Sequence, residues 1–210
     1  MKRQQLDEAM QLREEARDEG LIDMELIFIR HGHGEHLSNY PHRLHTLHPG
    51  LTQQGKDQVQ ELRQRIEIGP QDVILVSPMK RTIDTALKLT NEHRFIVTPF
   101  VGPRMFPQNP EYTELLCDQI YTEQEVLASY SNIALLDFDT ECWKTGINKI
   151  PQAQFEVYAT QLLNWIRSRY EKAFIISHDG TITKYRTVLG ETDLTRDDFL
   201  GEAGIYKINI

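Results

Sequence analysis

Two arginines and two histidines stand just beyond three short apolar runs of this 210-residue chain. Arg30-His31-Gly32 follows the run at 24–29. Ser77-Pro78-Met79-Lys80-Arg81-Thr82 follows the run at 72–76. Ser177-His178-Asp179-Gly180 follows the run at 172–176. Short apolar runs of this length read as buried strands of a parallel sheet. In an open α/β sheet, ligands gather at the carboxyl ends of the strands. The four side chains are therefore expected to converge. Buried charge without a partner is costly, so a convergent cationic set implies an anionic ligand. Arginine forks match phosphate oxygens two at a time, and a neutral imidazole can act as a nucleophile. These residue types together describe a phosphate pocket containing an attacking histidine. The loop His31-Gly32-His33-Gly34-Glu35-His36, with His42, His45 and His48 beyond it, also admits a zinc reading. Convergence is not guaranteed by a glycine-rich loop, and the favoured reading is histidines lining the mouth of the anion pocket. His178-Asp179 as a metal-dependent HD pair is disfavoured, because such enzymes are helical and this pair follows a strand-like run.

The elements that must hold these residues alternate in type. Further strands are expected at 94–97 and 205–210, the last more exposed because its apolar residues alternate. Thr52 fits a helix N-cap for a helix through about residue 67, carrying Val59, Leu62 and Ile66. Helices are also expected at 79–91, 153–170 and 181–189. This pattern predicts a three-layer α/β sandwich, a mainly parallel sheet with helices on both faces. The whole of 1–210 reads as one domain. A charged helix occupies 1–22, and a proline-containing insertion or lid of short helices occupies 98–151. Within that insertion Phe100, Met105, Phe106, Tyr112, Phe138 and Trp143 either line the leaving-group side of the pocket or form core.

Composition limits the function classes. There are 23 basic and 31 acidic residues, a formal net charge of −8, which argues against broad nucleic-acid binding. Cys117 and Cys142 match no zinc or disulfide pattern and read as reduced thiols. No apolar run approaches the roughly 18–20 residues of a membrane helix, and the start of the chain lacks a signal-peptide core. A cytoplasmic protein acting on a small phosphorylated substrate is expected.

Four segments, in order, resemble the histidine phosphatase superfamily, the phosphoglycerate mutase-like enzymes. Arg30-His31-Gly32 is similar to its RHG signature. Leu51-Thr52-Gln53-Gln54-Gly55 is similar to its LTxxG helix start. Residues 77–86 resemble its SPxxRTxxTA segment, and Ser177-His178-Asp179-Gly180 its second histidine site. The resemblance implies that His31 takes the phosphoryl group while Arg30, Arg81 and His178 clamp phosphate oxygens. Gly32 would permit a close backbone approach. It implies a glutamate after the third strand as proton donor. Glu114 is the first choice, Glu111 its neighbour, and Asp179 the alternative used by the acid-phosphatase branch. An asparagine often found six residues after the nucleophile is replaced by Leu37, so Asn39 either substitutes for it or the contact is missing. The implied activity is metal-independent hydrolysis of phosphomonoesters through a phosphohistidine, with no cofactor. Alternatives are a phosphoglycerate-type mutase and a non-catalytic phosphate-binding protein. The chain ends at its last expected strand, without a tail to cover the pocket, which favours hydrolysis over transfer.

Overall fold

The computed structural model describes residues 23–90, 94–109, 111–131, 133–138 and 141–210. The charged helix expected over 1–22 lies outside them. Six strands form one sheet: β1 (Glu25–Arg30), β2 (Val73–Val76), β3 (Ile96–Val97), β4 (Ala134–Leu135), β5 (Lys172–Ser177) and β6 (Ile205–Asn209). Their order is β4-β3-β2-β5-β1-β6, and only β6 runs antiparallel to its neighbour. β1, β5 and β2 are almost continuously apolar because both of their faces are covered.

Alternate residues of those strands feed two cores. Leu26, Phe28, Leu75 and Ile175 pack against α5 (Gln152–Arg167) and α6 (Asp179–Val188). Ile27, Ile29, Ile74 and Ile176 pack against α1 (Gln53–Arg63) and α2 (Lys80–Thr90). This is the three-layer sandwich expected from the sequence. The Thr52 hydroxyl accepts the Gly55 amide at 3.1 Å and caps α1 as expected. α1 stops at Arg63 rather than near 67, yet Ile66 still packs on the second core through the following turn.

The stretch 98–151 contains the short helices α3 (Glu123–Ser129) and α4 (Cys142–Thr145) and several single turns. It also supplies β4, which sequence did not foresee. Two residues carry no periodic signal, and pairing with β3 alone defines them. Among the described residues neither cysteine forms a disulfide, and both are buried. Among the described residues no helix is long and apolar enough to cross a membrane.

Candidate active site

Strand register brings the motifs together. Arg30 lies opposite Ser177 in the β1–β5 ladder. The His31 amide then donates to the Ser177 carbonyl at 3.1 Å, and the Ser77 amide to the Ile176 carbonyl at 3.1 Å. Three chain segments therefore leave the sheet side by side, all held to β5 or its end. Gly32 and Gly55 let the loop after β1 lie directly on the first turn of α1. A Cβ on Gly55 would overlap the His33 carbonyl oxygen, and one on Gly32 would sit 2.6 Å from the Gly55 carbonyl oxygen. The closeness that Gly32 permits is thus to the helix that braces the loop.

His31 is 3% exposed. Its Nδ1–H donates to the Gly32 carbonyl at 2.8 Å, which leaves Nε2 without a proton and accepting from Arg81 Nε at 3.3 Å. Burial, and then the Arg81 guanidinium, hold the ring well below the ordinary imidazole pKa. His31 is therefore a neutral imidazole whose unprotonated Nε2 faces a cation, the form in which an imidazole can act as base or nucleophile.

Arg81, in the first turn of α2, is 2% exposed. Besides His31 it donates to the Cys117 carbonyl at 2.6 Å, to Asp118 Oδ1 at 3.3 Å and to His178 Nδ1 at 3.4 Å. Burial lowers its pKa and Asp118 opposes that shift. His178 is the N-cap residue of α6, and its Nε2–H donates to Ser77 Oγ at 2.8 Å. Burial, then Arg81, keep it neutral. The His31 and His178 rings are 5.2 Å apart, edge to face. Arg30, the last residue of β1, pairs with Asp179 Oδ2 at 2.9 Å and donates to the Leu200 carbonyl at 2.6 Å.

These four side chains share a cavity of about 420 Å³ with Asp179, Asp118, Tyr112, Asn109, Asn148 and Arg104. One further member was visible only as part of the histidine loop. His36 is buried, its ring centroid is 5.9 Å from that of His31, and its Nδ1 has no hydrogen-bond partner among the described residues. Burial, then Arg81, lower its pKa to about 3. The other loop histidines go elsewhere. His33 bonds the Thr52 hydroxyl, His48 stacks on Tyr121 at 4.1 Å, and His42 and His45 are exposed. Among the described residues no three His, Cys, Asp or Glu side chains group as a metal site.

Three sequence candidates are not brought to this cavity. Glu114 is 45% exposed, lines a neighbouring cavity, and stands 3.9 Å from the Lys149 ammonium. Residues 112–115 form no helix, so nothing turns Glu114 toward His31, whereas the turn Leu116–Asp118 carries Asp118 to Arg81. Glu111 is exposed outside the cavity as well. Asn39 is exposed, with a φ of 60°, and Leu37 lines the cavity in its stead. The amides that do reach it, Asn109 and Asn148, come from 98–151, where no spacing marked them. Of the aromatic and methionine candidates, Met105, Phe106 and Tyr112 line the cavity. Phe100 is core, stacked on Phe138, and Trp143 packs on the second core.

The resemblance expected from the four motifs is borne out by comparison. Residues 26–103 match the family model described as Histidine phosphatase superfamily (branch 1). No curated protein matches the chain by sequence. Among solved structures, the fold is similar to that of the ecdysone phosphate phosphatase from Bombix mori, with 14% identity, TM-score 0.58 and 88% of each chain covered. It is also similar to the alpha-ribazole phosphatase from Shigella flexneri, at 17% identity, TM-score 0.56, and 89% of this chain and 91% of that one. A third similar structure is phosphoserine phosphatase from Entamoeba histolytica, at 21% identity, TM-score 0.53, and 88% and 89%. At these identities the likeness is one of fold.

Proposed function

We propose that the chain is a phosphatase that hydrolyses small phosphomonoesters through a phosphohistidine at His31. The observation that carries this reading is the His31 ring itself. Its Nδ1–H is tied to a backbone carbonyl, and its unprotonated Nε2 faces Arg81 in a cavity shared with Arg30 and His178. The three similar structures named above are phosphatases, which agrees with it.

In the first step Nε2 attacks phosphorus, the N–P bond forms and the P–O bond to the leaving alcohol breaks. Arg30 and Arg81 hold the equatorial oxygens, where charge accumulates in the transition state, and His178 joins them once its Nε2–H leaves Ser77 Oγ for a phosphate oxygen. The leaving oxygen needs a proton, and a positioned acid contributes roughly 10²–10⁴-fold. Asp179 takes this role in preference to Glu114, because it lines the cavity and Glu114 does not; its carboxylate takes the proton that a phosphomonoester monoanion brings and passes it to the leaving oxygen. An arriving phosphate competes for the Arg30 guanidinium and so releases Asp179 Oδ2 from its ion pair. In the second step water attacks phosphorus, the N–P bond breaks and the same carboxylate takes the water proton. Orthophosphate leaves. His36 completes the cradle as a neutral hydrogen-bonding ring in place of the absent amide at position 37.

The test is a phosphomonoester panel on the purified protein in the presence of a chelator, with rapid acid-free quenching to trap labelled enzyme. Phosphate release and label on His31 are expected. Absence of turnover across the panel, with no labelled imidazole, would overturn the reading. Transfer to a second substrate hydroxyl faster than phosphate release would make the enzyme a mutase instead.

A further inference from the structure

The mouth of the cavity is built from a turn that none of the phosphate chemistry uses. The turn Arg196–Asp198 is capped by Thr195, whose amide and hydroxyl both donate to the Asp198 carboxylate, at 2.7 and 3.1 Å. Two arginines anchor it from behind. Arg186 donates to the Asp198 carbonyl at 2.9 Å, and Arg30 to the Leu200 carbonyl at 2.6 Å. A turn fixed at three points presents Arg196 and Phe199 to the cavity. Phe199 meets Phe106 edge to face, with ring centroids 6.1 Å apart. Each ring also carries a cation. The Arg196 guanidinium lies 5.6 Å from the Phe199 centroid, and the Lys184 ammonium 5.0 Å from that of Phe106.

Arg196 makes no ion pair among the described residues. Asp198 is committed to the Thr195 cap, Asp179 pairs with Arg30 before phosphate arrives and serves the leaving oxygen afterwards, and Asp197 does not line the cavity. The cavity's remaining guanidinium, the buried Arg104, is taken up by the carbonyls of Ile147 and Ile150 and by Gln152. A cavity of about 420 Å³ also exceeds what a phosphate alone fills, and falls in the range of small-molecule sites. Two edge-to-face rings offer an apolar wall suited to a flat group, and the Arg196 guanidinium beside Phe199 suits an anion.

From this we infer that the preferred substrate is an aryl phosphate whose leaving group carries a second anionic substituent, bound by Arg196 with its ring against Phe106 and Phe199. The inference rests on the phosphatase reading and deepens it. It is tested with phenyl phosphate, 3- and 4-carboxyphenyl phosphates, the two matching carboxamides and cyclohexyl phosphate. At least one carboxylate is expected to exceed its carboxamide by about fivefold in kcat/KM, the size of a partly solvated ion pair. High salt should erase that margin, and Arg196→Gln should bring the ratio toward one. Phe199→Leu should narrow the advantage of phenyl over cyclohexyl phosphate. Carboxamides turning over as well as carboxylates, or a carboxylate preference that survives Arg196→Gln, would overturn the inference. The same compounds are titrated calorimetrically into His31→Ala protein, where the affinity order reads the rim without turnover. A rim preference in binding without catalysis by the native enzyme refutes the phosphatase reading alone. Catalysis without a preference refutes the rim alone.

Discussion

Three imidazoles in the cavity are held neutral by burial beside two arginines, and this makes folding sensitive to acid in a calculable way. His36 is the best case, because its folded pKa is about 3. An unfolded histidine takes up a proton below about 6.5, whereas folded His36 resists until about 3. Lowering the pH through that window therefore stabilises the unfolded chain and not the folded one. Stability is complete above the unfolded value and falls as pH drops. Between pH 7.5 and pH 5.0 the linkage relation gives a loss of about 2 kcal/mol from this one side chain. Asparagine at position 36 cannot take up the proton but can still donate into the cavity. Urea unfolding of wild type and His36→Asn at both pH values, in phosphate-free buffer, isolates the effect. Packing changes caused by the substitution are common to both pH values and cancel in the difference. Wild type should lose about 2 kcal/mol more than the variant over that interval. Parallel losses, within about 0.5 kcal/mol, would mean that His36 is not a buried neutral group and would remove it from the phosphate cradle.

Arg81→Lys keeps a charge but cannot reach four partners at once, so kcat should fall about 100-fold while circular dichroism stays native. A kcat within about threefold of wild type would take Arg81 out of the clamp. Asp179→Asn should slow hydrolysis of alkyl phosphates more than of aryl phosphates, whose leaving groups need less protonation, and Glu114→Gln should slow neither. The reverse pattern in steady-state rates would restore Glu114 as the acid. Gly55→Ala forces a methyl into the His33 carbonyl, and should cost about 1–3 kcal/mol in urea unfolding and lower kcat by displacing the His31 loop. A stable, fully active Gly55→Ala protein would show that the loop does not depend on this contact.

Much of the architecture was readable from sequence because the central strands declare themselves. β1, β2 and β5 are apolar runs closed by charged or hydroxyl residues, and the parallel register then forces Arg30, His31, Ser77 and Ser177 to one edge. The helix starts were equally clear where a cap was present, as at Thr52. What escaped lies in 98–151. β4 has only two residues and exists through its pairing with β3. The direction of the Glu114 side chain follows from the absence of a helix at 112–115, which a run of Glu, Tyr, Thr and Leu does not announce. Asn109 and Asn148 come from two distant loops joined only by tertiary contacts, such as the Gln108 amide on the Asn148 carbonyl. His36 was one histidine among several in its loop, and its burial is decided by packing that no spacing encodes.

The guanidinium of Arg30 joins three structures that sequence keeps far apart: the strand before the nucleophile, the carboxylate of Asp179 and the carbonyl of Leu200 at the rim. Its donors lie in one rigid plane, so it cannot swing toward an incoming anion with one edge and leave the other edge undisturbed. On the proposed chemistry, an anion that draws one edge of Arg30 toward the floor of the cavity would loosen its hold on Leu200, so charge capture and the posture of the residues around Leu200 would shift together.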